Sequence, residues 1–248
     1  MVAGRRIIKF DEYILEDLAA FTGMSIDSIE NYFDKSECDH TRIELDKFVR
    51  PQTLEQLIWY YRCCRSEFVH NATKYHDRIQ GKKGWPVLDK WVKPGMLVLD
   101  YGAGTGQNSI HVRMDLKAIP SYFEISIIQR EFFKFRCLRR GWVINIIDPY
   151  ISRGTRAHNY VFDPIYSVQG TFDVICLSQV LEHVILPGKL LEHLIKCLKN
   201  SGLLLEDTPW QSHDLLGLES WTVNQFESFM KGAGMEKLSH GVWQKGSV

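Results

Sequence analysis

The most informative segment of the sequence is Leu97-Val-Leu-Asp100-Tyr-Gly-Ala-Gly-Thr-Gly106-Gln-Asn-Ser109. It opens with an apolar run, which indicates a buried strand over 96–100, and three glycines then alternate at 102, 104 and 106. Glycine adopts positive φ without steric penalty, so this spacing predicts a tight turn that approaches a bound molecule closely. A helix predicted from about 106 to 116 follows, and its free N–H groups favour a negatively charged ligand group. The segment therefore predicts a nucleotide-like cofactor on a strand–turn–helix unit.

From residue 85 onward, short apolar runs alternate with helical patterns. Apolar runs over 121–124, 142–147, 172–177 and 203–205 indicate strands, periodic patterns over 126–139, 187–199 and 222–231 indicate helices, and 236–238 with 242–245 suit a closing antiparallel pair. The last of these helices opens on Thr222 followed by Gln225, which is a capping-box pattern. This alternation predicts an α/β domain with a largely parallel sheet flanked by helices.

The first part of the chain has a different pattern. Two short helical patterns lie within 11–33, a longer one runs from Pro51 to about His76, and no strand pattern accompanies them. We therefore expect residues 1–84 to form an N-terminal helical segment. This segment would pack on, or cap, the domain formed by residues 85–248.

The predicted helix over 126–139 carries two sets of residues of opposite character. The apolar set, which we expect to face inward, is Ile127, Ile128, Phe132 and Phe135. The basic set is Arg130, Lys134, Arg136, Arg139 and Arg140. Charged residues on a helix are commonly solvated, so we expect the basic set to face water. Contact with a phosphate-bearing substrate or with RNA is the alternative.

Composition limits the classes of partner. The 30 basic and 30 acidic side chains cancel formally, which disfavours a broad nucleic-acid-binding surface. The six cysteines form no C-x-x-C pair and no zinc-ligand cluster with histidine, so we expect reduced thiols and no bound metal. No apolar run reaches the roughly 20 residues of a membrane span, and the segment 1–10 lacks a signal-peptide core. We expect a cytoplasmic protein without membrane contact.

Acidic residues follow three of the predicted strands directly. They are Asp100, Glu124 and Asp148. In an open parallel sheet, ligands bind at the carboxyl ends of the strands, where these side chains would lie. A carboxylate after the second strand can accept from both hydroxyls of a ribose, and one after the third can accept from an adenine amino group. The alternatives are an ordinary surface carboxylate at Glu124 and a turn-initiating Asp148-Pro149 pair.

Four segments together resemble class I S-adenosylmethionine-dependent methyltransferases. Residues 98–106 resemble motif I of that family, 123–126 its acidic motif, 172–184 its fourth-strand segment with L-E-H-V, and 186–205 its next helix and strand. The resemblance covers about 85–240. It implies a Rossmann-like, mostly parallel seven-stranded sheet with S-adenosylmethionine as cofactor and S-adenosylhomocysteine as product.

The resemblance also implies roles for particular residues along the cofactor. These are Asp100, Gly102, Ala103, Gly104 and Gly106 at the methionine part, Glu124 at the ribose, Ile125, Asp148 and Pro149 at the adenine, and Ser178 and Gln179 near the sulfonium. A nicotinamide-dependent oxidoreductase is the rival interpretation. It requires G-x-G-x-x-G, whereas this chain has G-x-G-x-G, and it leaves the L-E-H-V segment unexplained.

Two histidines are candidates for a catalytic base on the acceptor side. His213 follows the predicted fifth strand and His183 the fourth, and histidine titrates near neutral pH. The alternative is that Glu182 and His183 only begin a helix. Aromatic residues predicted to line the acceptor pocket are Tyr75, Tyr160, Tyr166, Trp210 and Trp221, unless they serve packing alone. Such a lining suits a small organic acceptor.

The sequence thus predicts methyl transfer to a small molecule. Oxygen is the favoured acceptor atom because neither a nitrogen-specific box nor a carbon-specific nucleophile is found; Asp163-Pro-Ile-Tyr166 lacks the second proline of such a box and precedes the fourth strand. RNA or protein methylation and a non-catalytic cofactor-binding scaffold are alternatives. A homodimer is also left open.

Overall fold

The computed structural model describes residues 14–29, 85–148, 170–184, 187–208 and 221–246. Its elements in chain order are α1 (Ile14–Thr22), α2 (Pro86–Trp91), β1 (Leu97–Tyr101), α3 (Gln107–Met114), β2 (Ile119–Phe123), α4 (Ile127–Arg140), β3 (Asn145–Ile147), β4 (Phe172–Leu177), a 3-10 turn (Leu181–His183), α5 (Pro187–Cys197), β5 (Leu198–Glu206), α6 (Val223–Gly232), β6 (Met235–Ser239) and β7 (Val242–Lys245). None of the described helices is both long and apolar enough to cross a bilayer.

The strands form one seven-stranded sheet in the order β3-β2-β1-β4-β5-β7-β6. Neighbouring strands are parallel except at β7, which runs antiparallel to both β5 and β6. The α/β fold, the mostly parallel sheet and the closing antiparallel pair are therefore confirmed. Strand order reverses between β1 and β4, which is the position where open α/β sheets bind their ligands.

β3 and β5 differ most in length from the prediction. β3 begins at Asn145 because the preceding residues still cap α4: Gly141 has φ +69° and the Trp142 N–H donates to the Cys137 carbonyl at 2.9 Å. β5 begins early, at Leu198, which pairs with Phe172. The register then shifts, so that Val174 pairs with Leu203. Polar residues over 199–201 conceal this early pairing in the sequence.

Apolar side chains cover both faces of the sheet. One face packs on the predicted inner side of α5 and on α6, and the residues involved include Leu190, Leu191, Leu194, Ile195, Leu198, Phe226 and Trp243. The other face packs on α2 and α3 through Leu88 and Val112. The predicted capping box of α6 is confirmed, because the Gln225 N–H donates to Thr222 Oγ1 and the Thr222 N–H donates to Gln225 Oε1.

Helix α4 departs from the predicted division into an apolar and a basic face. Ile127 is 40% exposed, whereas Phe132, Arg130 and Arg136 are buried. The expectation of a solvated basic face is therefore wrong for these two arginines. The reason is that α4 is covered on two sides, by the glycine-rich turn after β1 and by α1.

The described part of the N-terminal segment packs on α4. Ile14 and Leu18 are buried against Phe132, and the ring of Phe21 lies 5.3 Å from that of Phe132 and 5.5 Å from that of Phe135. This contact agrees with a helical segment that packs on the domain. The predicted helix from Pro51 to His76 lies outside the described residues, so the division at residue 84 stays a prediction.

Candidate cofactor and acceptor site

The carboxyl ends of β1, β2 and β3 meet at one edge of the sheet. Tyr101 pairs with Phe123, and Phe123 pairs with Ile147, so the residues that follow these positions are neighbours along the edge. Glu124 and Asp148 are two of those residues. The structure therefore brings together the three strand ends that the sequence identified as a ligand site.

The glycine-rich turn over 102–106, here called the glycine loop, contains three residues with positive φ. The φ angles are +69° at Gly102, +55° at Gly104 and +80° at Gly106. A Cβ atom at Gly102 would lie 2.7 Å from Val180 Cγ2, one at Gly104 would lie 2.9 Å from Gln129 Oε1, and one at Gly106 would overlap the Phe133 ring. The missing side chains thus make room for protein groups, in addition to allowing the turn.

Hydrogen bonds from β2 fix the glycine loop. The N–H groups of Gly102 and Ala103 both donate to the Phe123 carbonyl, at 2.9 and 3.0 Å. The Tyr122 hydroxyl donates to the Gly104 carbonyl at 2.7 Å, and its ring stacks on Phe133. Groups of the protein itself therefore fix the loop conformation.

Glu124 is buried beside the loop and accepts two backbone hydrogen bonds. Its Oε2 accepts from the Gly104 N–H at 2.8 Å and its Oε1 from the Ser126 N–H at 2.7 Å. Burial raises the pKa of Glu124 above its usual value, although these hydrogen bonds act in the opposite direction. The carboxylate is thus oriented at the end of β2, where the ribose-binding residue was expected.

Asp100 connects β1 to the first turn of α3. Its Oδ2 accepts a hydrogen bond from Ser109 Oγ at 2.6 Å in a fully buried setting. Burial raises the pKa of Asp100 to about 6, against the lowering effect of that hydrogen bond. This geometry agrees with the expected role of Asp100 in ordering the loop, which stays a prediction.

The adenine end of the expected site is only partly described. Asp148 directly follows β3 and is half-buried, and Ile125 packs against the core below the edge. Pro149 lies outside the described residues. The roles of all three toward adenine stay predictions.

The residues present fit S-adenosylmethionine at this edge. Gln107 is the first residue of α3 and is buried, and its Nε2 has no hydrogen-bond partner within the described ranges. An unpaired donor at a helix N-terminus suits a carboxylate such as that of the methionine part. Glu124 offers acceptor oxygens for ribose hydroxyls. Both groups thus match the chemistry of the cofactor.

The loop after β4 lies against the glycine loop through Val180 and is held by Asp207. The Gln179 N–H donates to Asp207 Oδ1 at 2.8 Å, and Ser178 Oγ donates to Oδ2 at 3.2 Å. Gln179 has φ +55°, a conformation that non-glycine residues seldom adopt and that is concentrated at functional sites. The segment that contains Ser178 and Gln179 thus reaches the glycine loop through Val180, and the role of these two residues near the sulfonium stays a prediction.

Glu182 and His183 lie in the 3-10 turn that follows. The Glu182 side chain is 3% exposed, and its Oε2 has no hydrogen-bond partner in the part of the chain that the structure describes. Burial, together with the nearby negative charges of Asp207 and Glu206, raises the pKa of Glu182 to about 7. His183 Nε2 lies 3.8 Å from Glu182 Oε1. His213, the other candidate base, lies outside the described residues.

Of the five aromatic residues expected at the acceptor, the structure describes only Trp221. It packs against Phe229, with ring centroids 5.2 Å apart, and against Gly188. Its role toward an acceptor stays a prediction. The others, Tyr75, Tyr160, Tyr166 and Trp210, lie outside the described residues.

Asp207 and Arg136 are two residues of this site that the sequence interpretation missed. Asp207 directly follows β5, and the acidic pair Glu206-Asp207 follows the apolar run over 203–205, which is the same kind of signal that identified Asp100, Glu124 and Asp148. Arg136 donates to the Thr105 carbonyl of the glycine loop at 3.0 Å. Its position within a basic run gave no signal that distinguished it from solvated neighbours.

A known family has this order of elements. The family model described as "Methyltransferase domain" matches residues 83–238, which is more than half of the chain. The chain belongs to this family. It is a class I methyltransferase with S-adenosylmethionine as methyl donor, which confirms the resemblance and removes the nicotinamide alternative. A comparison of this methyltransferase with curated protein sequences gave no match.

Solved structures similar to this methyltransferase share its fold at low identity. Phosphoethanolamine N-methyltransferase 2 of Haemonchus contortus is 15% identical with a TM-score of 0.51, over 72% of this chain and 43% of that one. A Galdieria sulphuraria protein, provisionally assigned as a sarcosine dimethylglycine methyltransferase, is 14% identical with a TM-score of 0.50, over 73% and 72%. The [4+2]-cyclase SpnF is 19% identical with a TM-score of 0.48. The match covers 71% of this chain and spans only 62% of the length of that protein.

Proposed function

We propose that this methyltransferase transfers the methyl group to an oxygen of a small-molecule acceptor. The observation that carries a small-molecule acceptor over RNA is a set of three carboxyl groups at the ends of β4 and β5, here called the acidic edge: Glu182, Glu206 and Asp207. Burial raises the pKa of each above its ordinary value. A cluster of acidic groups does not provide the basic contacts with which proteins bind the phosphates of RNA.

The acidic edge also suits the reaction. The cofactor supplies an activated methyl group on a cationic sulfonium, and carboxylates nearby favour a positive charge. Ser178 and Gln179, which Asp207 positions, would face this group. The glycine loop would hold the methionine part of the cofactor, and Glu124 would hold its ribose. Ile125, Asp148 and Pro149 would lie at its adenine.

Glu182 joins His183 and His213 as a candidate acceptor of the proton that the substrate releases. A buried carboxyl with a pKa of about 7 can exchange a proton at physiological pH. Its unpaired Oε2 can accept a hydrogen bond from a hydroxyl group of the acceptor. Two proteins of similar fold support a small acceptor. The Haemonchus contortus structure contains phosphomonomethylethanolamine with S-adenosylhomocysteine, and the Galdieria sulphuraria protein is provisionally assigned as a sarcosine dimethylglycine methyltransferase. Oxygen as the acceptor atom rests on the sequence alone, and the Haemonchus contortus relative, which is named an N-methyltransferase, does not support it.

Calorimetry and a transfer assay test the proposal. We expect the protein to bind S-adenosylhomocysteine and not NAD, and to transfer radiolabelled methyl groups into a pool of small hydroxyl compounds. Labelling of amines alone would overturn oxygen as the acceptor atom. Labelling of RNA or protein alone would overturn the small-molecule acceptor. The cytoplasmic location and the homodimer stay predictions from the sequence.

A further inference from the structure

A buried carboxylate on α1, Asp17, joins this helix to three arginines of α4. Its Oδ1 lies 2.8 Å from Arg140 Nη2 and 3.4 Å from Arg139 Nε, and its pair with Arg136 is the fully buried one. Asp17 and Arg136 are both 0% exposed, and Arg136 Nε donates to Asp17 Oδ2 at 3.2 Å. The guanidinium lies 5.6 Å from the ring centroids of both Phe132 and Trp142, so apolar rings flank it. A charged pair in such a setting has a large desolvation cost, which makes its geometry strict.

The same guanidinium makes a second hydrogen bond, to the glycine loop. Arg136 Nη1 donates to the Thr105 carbonyl at 3.0 Å, while Nε is held by Asp17. Arginine presents its donors in a rigid fork, so fixing one nitrogen fixes the direction of the other. Asp17 therefore determines where Arg136 meets the loop.

The peptide between Thr105 and Gly106 is held on both sides. Its carbonyl accepts from Arg136, and its N–H donates to the Ala103 carbonyl at 2.8 Å. Gly106 precedes the first residue of α3, so the orientation of this peptide sets the direction of the free N–H groups at the helix N-terminus. Those groups face the position assigned to the negative end of the cofactor.

We propose that Asp17 is a positioning residue for S-adenosylmethionine, because it holds Arg136 on the Thr105 carbonyl. Helix α1 is then part of the cofactor-binding apparatus, in addition to any capping of the acceptor by the N-terminal segment. The inference rests on the proposed binding of S-adenosylmethionine at the glycine loop. A purely structural role would be to attach α1 to α4 without effect on cofactor affinity.

Two variants of the full chain separate these roles. The double variant Asp17→Leu with Arg136→Met replaces the buried pair by apolar side chains, a change that commonly preserves folding. Arg136→Lys keeps the charge opposite Asp17, but one amine cannot reproduce the fork that reaches both partners. Glu16→Gln is the matched control, because it removes the more exposed 2.9 Å pair with Arg140 on the same two helices.

We expect both variants to bind S-adenosylhomocysteine about tenfold or more weakly in calorimetry, as loss of a charge-assisted hydrogen bond implies. The KM for S-adenosylmethionine should rise by a similar factor, while kcat at saturating cofactor stays within about twofold because the reacting groups are unchanged. The melting temperature should stay near that of wild type in Arg136→Lys, and Glu16→Gln should match wild type throughout.

Unchanged S-adenosylhomocysteine affinity in folded variants would overturn the inference. It would also be overturned if Arg136→Lys had the affinity and the melting temperature of wild type, since a positive charge at that position would then suffice. If the double variant does not fold, Arg136→Lys decides the question. A wild-type protein that binds no S-adenosylhomocysteine would overturn the proposed function as well, whereas normal wild-type binding with normal variant binding would overturn this inference alone.

Discussion

Substitution of Gly106 by alanine is the sharpest test of how the glycine loop is built. Gly106 has φ +80°, and a Cβ atom there would overlap the ring of Phe133, which is itself buried and stacked on Tyr122. An L-residue in the left-handed region costs roughly 1–2 kcal/mol. Overpacking of a filled site adds roughly 1–3 kcal/mol, so Gly106→Ala should lose roughly 2–5 kcal/mol of unfolding free energy.

Gly95 provides the matched control. It has φ +81°, but nothing lies within 4 Å of a Cβ atom built there. Gly95→Ala should therefore lose only the conformational contribution, roughly 1–2 kcal/mol. Urea unfolding of both variants measures the difference, which isolates the overlap with Phe133. We also expect weaker S-adenosylhomocysteine binding in Gly106→Ala and not in Gly95→Ala, because only the former displaces the loop.

A double-mutant cycle with Phe133→Ala completes the test. Removing the ring should relieve the overlap, so Gly106→Ala should cost less in the Phe133→Ala background, by roughly 1–3 kcal/mol. Equal losses for Gly106→Ala and Gly95→Ala would refute the reasoning, as would strictly additive effects in the cycle. Either result would mean that Gly106 is required for its φ angle alone.

Three further outcomes are expected. Because burial raises the pKa of Asp100 from 3.8 to about 6, the folded state holds this proton more tightly, and unfolding free energy should fall by up to ~3 kcal/mol from pH 4 to 7 in wild type. Urea titrations of Asp100→Asn should lack the Asp100 share of that fall and keep the share of the other buried carboxyls, such as Glu124 and Glu206; a pH profile identical to that of wild type would contradict it. In wild type, kcat/KM should rise with pH through about 7 as Glu182 loses its proton, and the rise should vanish in Glu182→Gln but persist in the exposed control Glu192→Gln. Thr222→Ala should lose about 1 kcal/mol in urea unfolding through loss of the α6 cap, and no loss would show that the cap is not formed in solution.

Local patterns predicted most of the sheet. β4 was expected over 172–177 and forms over Phe172–Leu177, because an apolar run bounded by polar residues specifies a buried central strand. β5 was underestimated, since Leu198 joins the sheet through tertiary pairing that polar neighbours conceal. Strand-end carboxylates were found by position alone, and Asp207 obeys the same rule although it was not singled out.

The interior of α4 could not be predicted from periodicity. A single helical period assumes one buried face, whereas α4 is buried by the glycine loop and by α1 together. Arg136 satisfies its charge through Asp17, which lies 119 residues earlier in the chain. No local signal reports such a partner, so a buried arginine and a solvated one look alike in the sequence.

The packing of α4 against the glycine loop has a consequence for protein engineering. Gln129 and Phe133 occupy the space that side chains at 104 and 106 would take, and Arg136 holds the carbonyl between them. A transplanted glycine loop would therefore keep its conformation in a new scaffold only together with these three residues of α4. The transferable module is the loop plus one face of α4, and the segment over 97–109 is only one part of it.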